Sequence, residues 1–400
     1  MKKDILFLCQ FFYPEYNSSA TLPFDTAKYL ANHGFTVGAL CGYPKEYSKD
    51  KDVPKREVKD NVEIQRIKYL QLKRGNILGR LINYFSFTFK ALLHIGQIRK
   101  YEYIIVYSNP PILPLVSIMA NMFYKTKIVF VSYDVYPEVA YASNTLNPDS
   151  LISRIMNILN HHLFKRVFKV ITLTDEMKYF LLKNRKELSE DKIVTIPNWA
   201  HEKVIVADKE AYSRFGYKEN QFIVSYFGNM GTCQDMDTLL DAAELLKDND
   251  DIKFLFVGHG NKFEKIKERI ETNDLKNIQL LSFLTGKDFE QAVAISSCCV
   301  VSLEKGLKGT CAPSKYYSYL QGGKPILAIV EAGSYLEEEI NKEKIGCAVQ
   351  NGEVQDLVSK IISMCQNKDE CLYLSQRVIK LYTENYEMNI CLKEYLNVFN

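Results

Sequence analysis

The sequence predicts an α/β protein built as two doubly wound domains. Short apolar runs alternate with amphipathic helical patterns along the whole chain, the signature of mostly parallel sheets with crossover helices. The series begins again near residue 222, with no repeat of sequence. A chain of 400 residues also exceeds what one hydrophobic core usually organises.

The first strand is expected at 5–9, where Ile5-Leu6-Phe7-Leu8-Cys9 follows a charged start; the apolar run is too short for a signal peptide. Strands follow at 36–41, 62–67, 103–107, 127–131, 170–173 and 193–196, with helices at 24–33, 78–98, 114–124, 151–168 and 175–184. Nowhere do 18 uncharged apolar residues run together; 112–124 comes nearest, and because Pro114 interrupts it, it reads as a core helix. Pro197-Asn198-Trp199 closes a first domain at 1–198, and a polar stretch, 201–220, leads into the next. The second domain, 199–375, has strands at 222–226, 254–257, 278–281, 298–301, 325–328 and 347–349, and helices at 236–246, 262–273, 287–295, 314–321 and 354–365. From 372 to 400 the chain continues as helix.

Composition excludes several classes. Apolar content of 47% and charge of 25% are those of a soluble globular protein, and a net charge of +3 gives no ground for nucleic acid as a partner. The ten cysteines are scattered, with no C-x-x-C pair and no His spaced to complete a metal site, which fits a reducing cytoplasm and predicts no bound metal. Charge is distributed unevenly. Between 71 and 101 stand Lys73, Arg74, Arg80, Lys90, Arg99 and Lys100 with no acidic residue, interleaved with Leu81, Ile82, Tyr84, Phe85, Phe87, Phe89, Leu92 and Leu93. Such a stretch suits peripheral binding to an anionic surface, such as the inner face of the plasma membrane. It equally suits the solvated basic face of a helix packed on its own sheet.

In doubly wound sheets, ligands gather at the carboxyl ends of strands, in a cleft where two such domains face each other. After the first strand, 10–20 contains Ser18, Ser19 and Ala20, small residues at a helix start that let a ligand approach the backbone, or simply a capping loop. After 127–131 comes Ser132-Tyr133-Asp134-Val135-Tyr136-Pro137-Glu138, whose carboxylates Asp134 and Glu138 can orient or deprotonate a hydroxyl, or brace the turn that follows. The second domain opens with Tyr226-Phe227-Gly228-Asn229-Met230-Gly231-Thr232-Cys233-Gln234-Asp235-Met236-Asp237, a phosphate-loop shape lacking the lysine of a Walker sequence. Val257-Gly258-His259-Gly260 repeats the theme at the next strand end. Gly309 to Gly323 reads as a polar turn running into a helix, with Ser314 and Lys315 adding a hydroxyl and a cation to the N–H groups and positive dipole end of that helix start.

Taken in order, Phe-Tyr-Pro-Glu at 12–15, Tyr-Asp-Val-Tyr-Pro-Glu at 133–138, Pro-Asn-Trp at 197–199, Phe-Gly-Asn-Met-Gly at 227–231, Val-Gly-His-Gly at 257–260 and Ala-Pro-Ser-Lys-Tyr at 312–316 span nearly the whole chain. With these motifs the sequence resembles the retaining family-4 glycosyltransferases of the GT-B fold, in the branch that assembles O-antigen and capsular polysaccharide units. The resemblance implies transfer of a hexose from a nucleotide diphosphate, expected to be UDP, to a lipid-linked or saccharide acceptor, with retention of configuration and with neither cofactor nor metal. It implies a donor site of Gly228, Asn229, Met230, Gly231, Gln234, Gly258, His259, Phe283, Leu284, Thr310, Pro313, Ser314, Tyr316 and Ser318, met by Ser18 and Ser19 from the other domain. Lys315 would stabilise the departing diphosphate, and Asp134 and Glu138 would lie toward the acceptor. It also implies that a terminal helical segment, 376–400, returns to the first domain, with 382–386 marking the crossing.

The chain departs from the family pattern. Two glutamates common in the final loop and helix are replaced by Thr310 and Ser318, and the usual Arg and Lys of the second-domain loop by Asn229 and Gln234. The missing glutamates motivate an alternative, a non-catalytic partner that stabilises another transferase. An epimerase has too few His and carboxylate candidates for proton abstraction.

Overall fold

The computed structural model describes residues 2–44, 48, 52–72, 77–201 and 206–400. The chain divides into two units. Unit 1 comprises Met1–Asn198, Gly309–Ala312 and Cys391–Asn400; unit 2 comprises Trp199–Lys308 and Pro313–Ile390.

Unit 1 is an eight-stranded sheet of β1 (Lys3–Cys9), β2 (Val37–Gly42), β3 (Arg56–Lys59), β4 (Val62–Ile67), β5 (Tyr101–Tyr107), β6 (Lys127–Ser132), β7 (Val167–Thr172) and β8 (Ile193–Thr195), in the order β3-β4-β2-β1-β5-β6-β7-β8. Its helices are α1 (Ser18–Asn32), α2 (Ile77–Leu93), α3 (Ile95–Ile98), α4 (Pro114–Tyr124), α5 (Glu138–Ala142), α6 (Leu151–Arg166) and α7 (Asp175–Asn184). Every pairing is parallel except that of β3 with β4. The order reverses between β1 and β5, so the crevice that seats ligands in such sheets opens there. Central parallel strands are covered on both faces, which is why β1 and β2 read as unbroken apolar runs and are buried nearly throughout.

Unit 2 repeats the winding with six parallel strands: β9 (Phe222–Asn229), β10 (Ile252–His259), β11 (Ile278–Leu281), β12 (Cys298–Ser302), β13 (Ile326–Val330) and β14 (Gly346–Gln350), in the order β11-β10-β9-β12-β13-β14. The helices run from α8 (Lys209–Arg214) through α9 (Met236–Leu245), α10 (Phe263–Thr272), α11 (Lys287–Ile295), α12 (Lys315–Gln321), α13 (Tyr335–Glu343), α14 (Val354–Gln366) and α15 (Lys368–Leu381) to α16 (Met388–Asn397). Here the switch point lies between β9 and β12. Val224, Tyr226, Phe254, Phe256, Val300, Leu327 and Ile329 from the strands bury against Leu239, Leu240, Leu357 and Ile361 of the helices, giving the unit its own core.

Several expectations need correction. The helix expected from residue 24 begins at Ser18, because Pro23 sits inside it instead of stopping it. Proline there gives up the N–H that would reach back to Ser19 and crowds that carbonyl, a cost that a helix tolerates best near its start. The helix expected over 78–98 breaks at His94, and the one expected from 314 begins at Lys315. Strand β3 and helix α13 were not foreseen. β3 is four residues long with no apolar alternation, and α13 carries three consecutive glutamates that obscure its buried Leu336 and Ile340. The terminal helical stretch is two helices separated by a π turn, Tyr382–Tyr386.

Candidate functional site

In unit 2 the expected residues cluster around the end of β9. Strand β10 pairs with β9 to the last residue, setting Gly258 beside Gly228 and His259 beside Asn229. A side chain at 258 would place its Cβ 1.8 Å from the Gly228 carbonyl oxygen, so only glycine lets the two strand ends lie this close. Beyond the strands the loop is pinned by main-chain bonds, the Met230 N–H donating to the His259 carbonyl (2.7 Å) and the Lys262 N–H to the Met230 carbonyl (2.9 Å). The Gln234 side chain turns back inside the loop, its Oε1 accepting from the Gly231 N–H (3.0 Å) and the Asn229 amide (3.3 Å). Asp235 then caps α9 through Thr238, and Asn351 donates to its second carboxylate oxygen (2.9 Å). Lys262 binds the Gln234 carbonyl and Glu304, each at 2.7 Å.

Lys315, the first residue of α12, reaches this loop. Its Nζ donates to the Tyr226 hydroxyl and stands 3.8 Å from the centre of that ring, while the same hydroxyl donates to the Asn229 carbonyl (2.5 Å). Tyr226 is fully buried, and desolvation pushes its phenol upward and the Lys315 ammonium down to about 7. Gly228 keeps the space beside the amine free of a side chain; a Cβ there would lie 3.7 Å from Nζ. An anion entering that space meets a cation whose protonation it would itself favour. Phe283 stands edge-on to His259 with ring centres 5.6 Å apart, and both are exposed, with Leu284 half-buried next to them. Pro313 is buried, Ser314 is exposed and makes no side-chain cap, and Ser318 is half-buried one turn on. Tyr316 points elsewhere: it is fully buried and its hydroxyl donates to Glu339 (2.5 Å), whose carboxyl desolvation pushes upward.

In unit 1 the crevice end carries the other expected residues. Ser18 and Ser19 open α1, where Asn17 makes no side-chain cap and its Oδ1 has no partner. The preceding loop is held by Arg66 of β4, a fully buried guanidinium that donates to the Tyr13 carbonyl (2.9 Å) and the Pro54 carbonyl (2.9 Å) and pairs with Glu57 (2.5 Å). The Asp134 main chain is fixed on both sides. Its N–H donates to Ser108 Oγ (3.1 Å), and it forms an isolated antiparallel bridge to Cys311, beside which the Val135 N–H donates to the Thr310 carbonyl (2.7 Å). The carboxylate itself is half-buried, and desolvation raises it to about 6. Glu138 differs: it accepts from Arg185 (2.7 Å), which also reaches the Tyr136 carbonyl, so it braces the turn.

The structure therefore brings Gly228, Asn229, Met230, Gly231, Gln234, Gly258, His259 and Lys315 together in unit 2, and sets Asp134 against Thr310 and Cys311 in unit 1. Thr310 lies in unit 1 and is almost wholly buried. Sequence reasoning gave no role to Tyr226, Lys262, Glu304, Arg66 and Arg185, which position the others. Only Tyr226 left a signal, a phenol in a central strand just before the glycine loop, though not what it would touch. Among the described residues, no cluster of His, Cys, Asp and Glu suits a metal ion.

The chain is similar to known glycosyltransferases. Residues 208–381 match the family described as Glycosyl transferases group 1. Probable glycosyltransferase WbjE of Pseudomonas aeruginosa is 24% identical over 298 residues, 74% of this chain and 72% of that protein. The putative colanic acid biosynthesis glycosyl transferase WcaI of Escherichia coli (strain K12) is 24% identical over 157 residues, 38% of each chain. Among solved structures, Anabaena HepE in complex with UDP and glucose superposes with a TM-score of 0.72 at 15% identity, covering 99% of this chain and 98% of that one.

Proposed function

We propose that this chain, a GT-B protein whose residues 208–381 match the Glycosyl transferases group 1 family, moves a hexose from a UDP-linked donor to a lipid-linked or saccharide acceptor in surface polysaccharide synthesis. The observation that carries the reading is the desolvated Lys315 amine, set beside Gly228 at the switch point of unit 2. A diphosphate there would draw on that cation, on the Asn229 amide and on main-chain N–H groups, which stabilise a leaving group without a metal. His259, Phe283 and Leu284 would face the nucleoside. Asp134, raised to about 6 and held rigidly by its main chain, would accept the proton of the acceptor hydroxyl near neutral pH, while Glu138 keeps the turn in place. Retention of configuration is part of the proposal. The UDP assignment draws on the likeness to HepE, and the polysaccharide setting on the name of WcaI.

Thermal-shift screening against UDP, GDP, ADP, CMP and their sugars tests the reading, because a ligand at 100 times its Kd stabilises by about 2.7 kcal/mol. UDP and one UDP-sugar are expected to raise Tm, and Lys315→Ala to remove most of the shift. A chain that no nucleotide stabilises would instead favour the non-catalytic partner, the reading supported by the buried threonine at 310.

A further inference from the structure

Unit 1 carries an apolar surface that its own fold leaves uncovered. Helix α2 lies on the crossover from β4 to β5, α4 joins the neighbouring strands β5 and β6, α6 precedes β7 beside them, and α4 packs against both α2 and α6, so the three helices adjoin. On α2 the exposed positions Leu78, Leu81, Phe85, Phe89 and Leu93 follow helical spacing, while Phe87 and Ala91 fill the core on the other side. α4 exposes Leu115, Met122 and Phe123. α6 buries Met156, Leu163 and Phe164 and turns Leu151, Ile152, Ile155 and Ile158 outward, the last two 55% and 59% exposed. Single exposed apolar side chains are ordinary; a continuous field across three helices marks a docking surface.

Charge identifies what docks. The three helices contain Arg80, Lys90, Arg154, Lys165 and Arg166 and no Asp or Glu, in a chain whose 51 basic and 48 acidic residues nearly balance. A second copy of this chain would bring the same cations face to face, which like-charge repulsion opposes. An anionic lipid surface meets both properties at once, taking the apolar side chains below its headgroups and the basic ones among them. Among the described residues no helix is long and apolar enough to cross a membrane, so such contact would be interfacial.

We propose that α2, α4 and α6 form one face that seats unit 1 on anionic lipid. More than half of these apolar positions lie on α4 and α6, outside the basic stretch at 71–101, of which Lys73 and Arg74 lie beyond the described residues. Each of these helices lies on a crossover from the carboxyl end of one parallel strand to the amino end of the next, so its first turn, with Leu78, Leu115 or Leu151, lies toward the strand ends that carry Asp134. On the transferase reading, the face would hold Asp134 close to an acceptor carried by a membrane lipid.

Flotation with phosphatidylcholine vesicles, with and without phosphatidylglycerol, tests this. The wild type should float with the anionic vesicles only, and less at high salt. Ile155→Ser with Ile158→Ser should cut partitioning at least about tenfold, with Tm and nucleotide binding unchanged. Phe85→Ser with Phe89→Ser is the second variant should the first fail to fold. A wild type that stays at the bottom of the gradient, or paired variants that float as well as it does, would overturn the proposal. So would light scattering that finds a dimer which the isoleucine variant splits. The two readings fail separately: a chain that binds UDP and transfers to a soluble acceptor without floating loses only this face, and one that floats but binds no nucleotide loses only the transferase.

Discussion

Lys315 and Asp134 are perturbed by the same cause in opposite directions, since desolvation disfavours whichever form is charged. If Asp134 must be ionised and Lys315 protonated, kcat/KM should rise with pH through about 6 and fall through about 7, a narrow bell. Asp134→Asn should remove the acid limb with most of the activity, and Lys315→Arg should carry the alkaline limb out of range. Lys315→Ala should lower kcat by about 10²–10³; a kcat within twofold of wild type would take the lysine out of the site. Stability follows the same carboxylate. Because its folded value lies above its ordinary 3.8, the native state binds the extra proton between about 4 and 6, and stability falls as pH rises through that window. Asp134→Asn should therefore raise Tm more at pH 7.5 than at pH 4.5, and an equal gain at both would refute the assignment.

At the scale of elements, the β9–β10 pair decides the donor loop. Gly258→Ala would drive a methyl into the Gly228 carbonyl, so one strand end must move, at about 1–3 kcal/mol or more. Urea denaturation should register that loss and UDP affinity should fall with it; unchanged affinity would mean the loop does not meet the ligand. This pair also marks how far the sequence could be read. Strand ends, glycines and Lys315 were legible because parallel strands are apolar and ligand loops follow them. Tyr226 was not, since its role depends on which side chain α12 brings across the sheet, a contact of residues 89 positions apart. Glu138 was legible as a carboxylate in a turn but not as the partner of Arg185, 47 positions on. The turn before α12 read as one piece, whereas Gly309–Ala312 is claimed by unit 1, through the Asp134 bridge and a bond from the Gly309 N–H to Glu176 (2.9 Å).

For the whole molecule, the chain passes between its two units four times, after 198, 308, 312 and 390. The last passage delivers Cys391, Leu392, Tyr395 and Val398 into the packing of unit 1, and Phe399 stands edge-on to Tyr103, ring centres 5.1 Å apart. Tyr395→Ala should cost about 3–5 kcal/mol, as deletion of a buried aromatic does, and should appear as a lowered transition in scanning calorimetry. An unaltered trace would show that unit 1 does not need this segment. There is a consequence for biosynthesis. All eight strands of unit 1 are synthesised before unit 2 is begun, yet the ten residues that complete its packing come only after unit 2 has been translated, roughly 10–40 s later at ordinary elongation rates. Through that interval the nascent first unit must stay unfinished, a natural client for chaperones.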